Sequence, residues 1–247
     1  MLTEALATDG LWLLVFAVLL AGLVRGFTGF GTAMVYLPFA GQVLDPVAVL
    51  VTLLVIDLFG PLPAVPRALR DGHPRDVLRL GAGALIGVPV GVAILVALNP
   101  ETFRTAVSVL TLILLTLLVS GLRYRGHVGK PLIYGTGAIA GLFGGAVGLP
   151  GPPVILLYMA RPLPVEVIRA STLLFLIVAD ILMLGVFGFR GLLAAGPLMV
   201  GALLILPYFA AVALGSYIFD PRHATIYRWT AYAIIAGSAL GGLPIWD

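Results

Sequence analysis

Along most of this chain, apolar residues run on without the strict alternation of a half-buried strand or the narrow stripe of a surface helix. Runs of this length read as helices in a hydrocarbon core, each needing about 20 apolar residues. Eight segments can be drawn, at 11–40, 46–66, 79–98, 104–122, 131–160, 165–189, 192–219 and 226–246. Leu80 to Leu98, Thr105 to Leu122 and Trp229 to Trp246 carry no charge. The connections are short, so residues 1–247 read as one integral membrane domain, all-α and polytopic. The opening MLTEALATDG is acidic and lacks the positive start of a cleavable signal peptide, so the first segment is expected to be retained.

Segments one and five are too long for a simple crossing. A continuous 30-residue helix would reach about 45 Å, against a core of about 30 Å. Each is interrupted near its middle, by Gly22-Leu-Val-Arg-Gly-Phe-Thr-Gly-Phe-Gly31 and by Gly141-Leu-Phe-Gly-Gly-Ala-Val-Gly-Leu-Pro-Gly-Pro-Pro153. Prolines remove amide donors and clash with the preceding turn, so a helix cannot run undisturbed through Leu149–Pro153. In lipid, such a break is tolerated only where it is buried in protein or lines a cavity. These segments are therefore broken or re-entrant.

The halves of the chain echo each other. A shift of 119 brings Gly22, Leu23, Gly26, Gly29, Val35 and Leu37 onto Gly141, Leu142, Gly145, Gly148, Val154 and Leu156. Nearby shifts, 118 to 124, align parts of the three following segments. The pattern predicts two four-segment repeats, 11–122 and 131–246, unless the matches are coincidences of a Gly- and Leu-rich composition. Paired interrupted segments in corresponding positions point to the binding site of a secondary transporter.

Composition narrows the class further. The chain is 61% hydrophobic and 10% charged, with a mean hydropathy of +1.14, far from a soluble domain. Its net charge of +3 and single lysine, Lys130, exclude a nucleic-acid surface. With no Cys, thiolate metal sites and cysteine nucleophiles are excluded, and His73, His127 and His223 all fall in charged or turn-rich stretches. No metal or cofactor is expected. Lys130 lacks the surroundings of a phosphate-binding loop, so active transport would draw on ion gradients or membrane potential.

The glycine-rich stretch Ala21–Gly31 resembles the opening motif of the TauE/SafE family, permeases for sulfite, organosulfonates and related compounds. Gly141–Pro153 is similar to that family's second glycine-rich break, and Arg169-Ala-Ser-Thr172 to the start of the next helix. The likeness extends over the whole chain, although Arg25 stands where many members have a small residue. It implies a multi-pass protein of the inner (plasma) membrane, a small anionic substrate, and no enzymatic activity. It leaves a homodimer open.

Three ionisable residues sit inside apolar runs, Arg25, Asp57 and Asp180. Each costs about 2.5–3.5 kcal/mol at a helix centre by the lower estimates, so each needs a partner or water. Arg25 is either an anion clamp, its planar fork suited to sulfite or sulfonate oxygens, or the partner of Asp57 in a bracing ion pair. Asp57 and Asp180 are candidates for proton coupling or, alternatively, for helix packing. Gly26, Gly29, Gly31, Gly145, Gly148 and Gly151 could expose amides at half-helix N-termini as an anion site, with Thr28, Thr32, Thr52 and Thr172 adding hydroxyls, or could only permit close helix contact. Gly83, Gly87 and Gly91, spaced by four, read as a packing stripe. Trp12, Trp229 and Trp246 read as interfacial anchors.

The function expected is export of a small sulfur-containing anion. The rivals are a passive anion channel and an intramembrane enzyme using Asp57 and Asp180. Topology turns on the broken segments. If all eight segments cross, eight Lys and Arg lie on the N-terminal side and five on the other. If segments one and five turn back, the split is eleven against two, with the N-terminus outside, which obeys the positive-inside rule better.

Overall fold

The computed structural model describes residues 9–59, 64–120 and 128–245. Trp246, His127 and the loop arginines Arg123 and Arg125 lie outside the described residues. Among the described residues there are eleven α-helices and no strand. They are α1 (Leu11–Thr28), α2 (Thr32–Ala40), α3 (Pro46–Phe59), α4 (Val65–Asp71), α5 (Pro74–Ala97) and α6 (Pro100–Val119). After them come α7 (Lys130–Val147), α8 (Gly151–Met159), α9 (Val165–Phe189), α10 (Ala195–Ile218) and α11 (Ala224–Gly241).

Five of them, α1, α5, α6, α9 and α10, are long and apolar enough to cross a membrane. Their outer faces carry large apolar side chains such as Leu85, Ile86, Val90 and Ile94 on α5. In water such a surface would be a liability; against lipid it is solvated. Trp12 and Trp229 are exposed near helix ends, as interfacial anchors are. The protein is thus a multi-pass, all-helical membrane protein.

Helices α5 and α6 start four or five residues before the segments drawn from hydropathy. Pro74 and Pro100 suit a first turn that lacks acceptors for its amides, and Asp76 and Glu101 favour the positive helix N-terminus. Charge at these positions is part of the helix and not its limit.

Both long segments break where glycine allows it. α1 ends at Gly29, whose φ is +80, and α2 starts after Gly31 at +97. α7 ends at Gly148, at +73, and Pro150, Pro152 and Pro153 occupy the start of α8, where a proline costs no helical bond.

The chain divides into two compact units. One holds residues 1–56, 98–116 and 193–247, and the other 57–97 and 117–192, so each draws on both halves of the sequence. In the first unit, α2 folds back along α1. The rings of Phe16 and Phe39 lie 5.9 Å apart, whereas a continuous helix would separate them by roughly 35 Å. Gly10 faces Val43 at the open end of this hairpin. Helix α10 runs parallel to α1, with Gly22 against Ala211 and Gly26 against Gly215.

In the second unit, α5 and α7 run parallel with their backbones in contact. Gly83, Gly87 and Gly91 face α7, while Gly137, Gly141 and Gly145 face α5. A methyl group on any of these six glycines would overlap the opposing backbone. The packing role expected of the α5 stripe is therefore observed, and its partner is a second stripe of the same spacing.

The end of α8 returns to the start of this pair. Arg161, just past α8, bonds Asp76 in the first turn of α5. Since Leu80 lies opposite Gly137, the return brings the chain back to the level of the start of α7. Both broken segments are helical hairpins. The chain has no native Cys, so single-cysteine labelling can check this. Cysteines at His73 and Pro162 should react from the same side of the membrane. Reaction from opposite sides would mean that α7 and α8 cross.

Candidate anion-binding site

The tip of the α1–α2 hairpin gathers Arg25, Thr28 and Thr32 against Tyr208 of α10. Arg25 lies in the last turn of α1, half-buried. Its Nη1 donates to Thr32 Oγ1 over 3.1 Å, and Thr32 is 2.8 Å from the hydroxyl of Tyr208 on α10. Thr32 and Tyr208 are buried. Because an arginine only donates, Thr32 is held as its acceptor, and Tyr208 fixes Thr32 from the facing helix.

The loop between the helices is closed by its own bonds. Gly29 N–H donates to Arg25 O at 2.7 Å, and Thr28 Oγ1 donates to backbone oxygens, with Val24 O at 2.8 Å. Phe30 N–H donates back to Thr28 Oγ1 over 3.3 Å. The amides of Gly29 and Phe30 are thus occupied. The first amides of α2, from Thr32 to Met34, have no acceptor within their helix. They point out of the helix N-terminus, next to the residue that holds the Arg25 guanidinium, and the helix dipole there favours an anion.

The second tip is chemically different. Gly148 N–H bonds Gly144 O at 2.9 Å and Leu149 N–H bonds Phe143 O at 3.2 Å, capping α7. Pro152 and Pro153 then occupy the first turn of α8, so two of its leading positions have no amide hydrogen. Gly144, where the repeat alignment would put a second arginine, packs against Pro150. Of the two helix starts, the first offers more donors and stands beside a fixed positive charge.

The structure brings together Arg25, Thr28, Gly29, Gly31 and Thr32 at one tip, and Gly148 and Gly151 at the other. Gly26 and Gly145 sit within helices, facing the backbones of α10 and α5. A Cβ on Gly26 would come within 2.7 Å of Val212 O, so close helix contact alone accounts for a glycine there. Asp57 is half-buried near the end of α3, and Asp180 is buried within α9, each on the helix that follows a hairpin.

Two buried tyrosines complete the first unit's polar core and were not among the residues singled out from the sequence. Besides Tyr208, Tyr36 on α2 donates to Thr52 Oγ1 at 2.9 Å, and Thr52 in turn donates to Val49 O. A signal existed: a tyrosine hydroxyl inside an apolar run must find a partner.

The sequence profile described as Sulfite exporter TauE/SafE matches residues 14–241. A protein of Cupriavidus necator named "Probable sulfite/organosulfonate exporter TauE" is 28% identical over 221 residues, covering 85% of this chain and 84% of the relative. No solved structure matches the chain. With nearly its full length matched, the chain belongs to the sulfite exporter TauE/SafE family.

Proposed function

We propose that this protein is a secondary transporter that exports small sulfur-containing anions, such as sulfite or an organosulfonate, across the cell's inner membrane. The observation that carries this reading is Arg25, held by the Thr32–Tyr208 pair beside the N-terminus of a half-helix. A guanidinium cannot discharge itself by losing its proton, and its fork geometry matches a pyramidal or tetrahedral oxyanion. The name of the Cupriavidus necator relative favours the same substrate class.

Two four-segment repeats, 11–122 and 131–246, are part of this reading. Their support is the recurrence of a hairpin with a left-handed glycine at its tip, packed parallel to the third long helix of the opposite half. With both hairpins turning back, each half crosses the membrane three times and the halves are inverted. The N-terminus is then outside, and the loops bearing Arg67–Arg79 and Arg161 are inside, where positive charge accumulates. An inside-negative potential drives export of a net anion, and Asp57 or Asp180 is the candidate for coupling to protons.

Flux in proteoliposomes tests the coupling. Wild-type protein should move sulfite against its gradient when a pH gradient or potential is imposed. If Asp57 or Asp180 carries the proton, its change to Asn should abolish pH-driven accumulation while leaving sulfite exchange intact. Loss of both activities would give that acid a structural role instead. Flux that only equilibrates sulfite would indicate a passive channel, and chemical conversion of sulfite an enzyme.

A further inference from the structure

The second unit holds a charged cluster that the Arg25 site does not use. Asp76 is only 7% exposed although it lies in the first turn of α5. Arg79 Nη1 donates to one of its carboxylate oxygens and Arg161 Nη1 to the other. Two guanidiniums thus flank one carboxylate, with a net charge of +1. Each side chain is a little over a quarter exposed, at 29% for Arg79 and 28% for Arg161. Each commits one nitrogen to Asp76, which leaves most of its five N–H donors for another acceptor.

Next to this cluster is a buried hydroxyl with unmet hydrogen bonding. Tyr158, near the end of α8, is fully buried and lies beside Ser171, Asp76 and Arg161. Its hydroxyl has no partner in hydrogen-bond geometry. Ser171 is the nearest hydroxyl and accepts the backbone N–H of His73 at 3.0 Å, but it stands outside hydrogen-bond geometry to the phenol. Burying a hydroxyl without a partner is costly, so such a group calls for an explanation, and a missing ligand is one.

We propose that Arg79, Arg161 and Tyr158 form a second oxyanion site, at the foot of the α7–α8 hairpin, which takes up the transported anion from the cytoplasmic face. The inference rests on the exporter reading for the identity of the anion. A sulfite or sulfonate group has three oxygens, enough to accept from both guanidiniums and from the phenol. Asp76 keeps the two arginines in position and offsets one of their charges, so the anion is held loosely enough to move on. The exposed arginines on α4 and on the first turns of α5 and α9, Arg67, Arg70, Arg75 and Arg169, outnumber the exposed Asp71 and Glu166 there. Their field raises the local concentration of an anion at this face.

Tyr158→Phe tests the site with the smallest change, since it removes only a hydroxyl that has no partner. In proteoliposomes, the KM for sulfite presented to the cytoplasmic side should rise about ten- to a hundredfold, the loss of one hydrogen bond to a charged ligand. The kcat and the melting temperature should stay the same or increase. An unchanged KM would overturn the proposal and leave Tyr158 as a packing residue. A second measurement keeps the site separate from the exporter reading: calorimetric titration of sulfite into full-length Arg25→Ala protein. Weak binding should survive there and be lost when Tyr158→Phe or Arg161→Gln is added. If wild-type vesicles carry no sulfite, the exporter reading fails, and this titration still decides the site. No residual binding overturns it; residual binding that the added changes weaken supports it.

Discussion

Replacing Arg25 with alanine should all but abolish sulfite transport. A guanidinium binds an oxyanion through charge-assisted hydrogen bonds of about 1.5–3 kcal/mol each. Losing two of them corresponds to about 100-fold or more in affinity, at 1.4 kcal/mol per tenfold. Arg25→Lys keeps the charge but not the planar fork, and should weaken binding roughly tenfold. Because Thr32 is held by Tyr208 as well as by Arg25, the alanine variant should still fold, with Thr32 in place. Transport kinetics alongside a melting curve check both parts. An alanine variant that transports with unchanged affinity would remove Arg25 from the site.

The second large effect is on folding. At Gly87, an added Cβ would meet the carbonyl oxygen of Ala138 and the amide nitrogen of Leu142, both backbone atoms that cannot swing aside. The helices would have to separate along their whole contact. Gly87→Ala should therefore cost roughly 1–3 kcal/mol, the usual range for overpacking. Gly87→Leu should leave little folded protein. Gly135→Ala, on α7 where nothing lies within 4 Å, is the control. It should melt at or above the wild-type temperature, since alanine favours a helix by about 1 kcal/mol over glycine. Equal melting of the Gly87 and Gly135 alanine variants would contradict the close contact of α5 and α7.

Much of the helical framework is visible in the sequence because a bilayer imposes long apolar runs, and because glycine and proline have few alternatives where a helix must stop. The breaks near Gly29 and Gly148 are legible for that reason. Whether the broken segments cross or turn back is not. Both paths expose the same apolar lengths, and the answer lies in pairs far apart along the chain, such as Phe16 with Phe39 and Asp76 with Arg161.

The site is only partly legible, again for physical reasons. Arg25 stands out because a charge in an apolar run is expensive wherever it points. Tyr208 does not, since a hydroxyl costs little to place and its link to Thr32 joins positions 176 residues apart. Gly145 shows a different difficulty. It belongs to the stripe Gly137–Gly141–Gly145 and to the glycine-rich break at once, and the one-dimensional pattern cannot separate helix contact from ligand contact. Asp76 lies outside the apolar segments and carries no signal of its own in the sequence, yet it is a buried acceptor for two arginines.

The most direct measurement is sulfite efflux from loaded proteoliposomes of wild-type protein, oriented with the cytoplasmic face inward and held at an inside-negative potential. Saturable efflux that speeds up as the potential is made more negative, and that falls to the rate of empty vesicles with Arg25→Ala, is the predicted result. Efflux no faster than from protein-free vesicles, or equally fast with Arg25→Ala, would contradict the account.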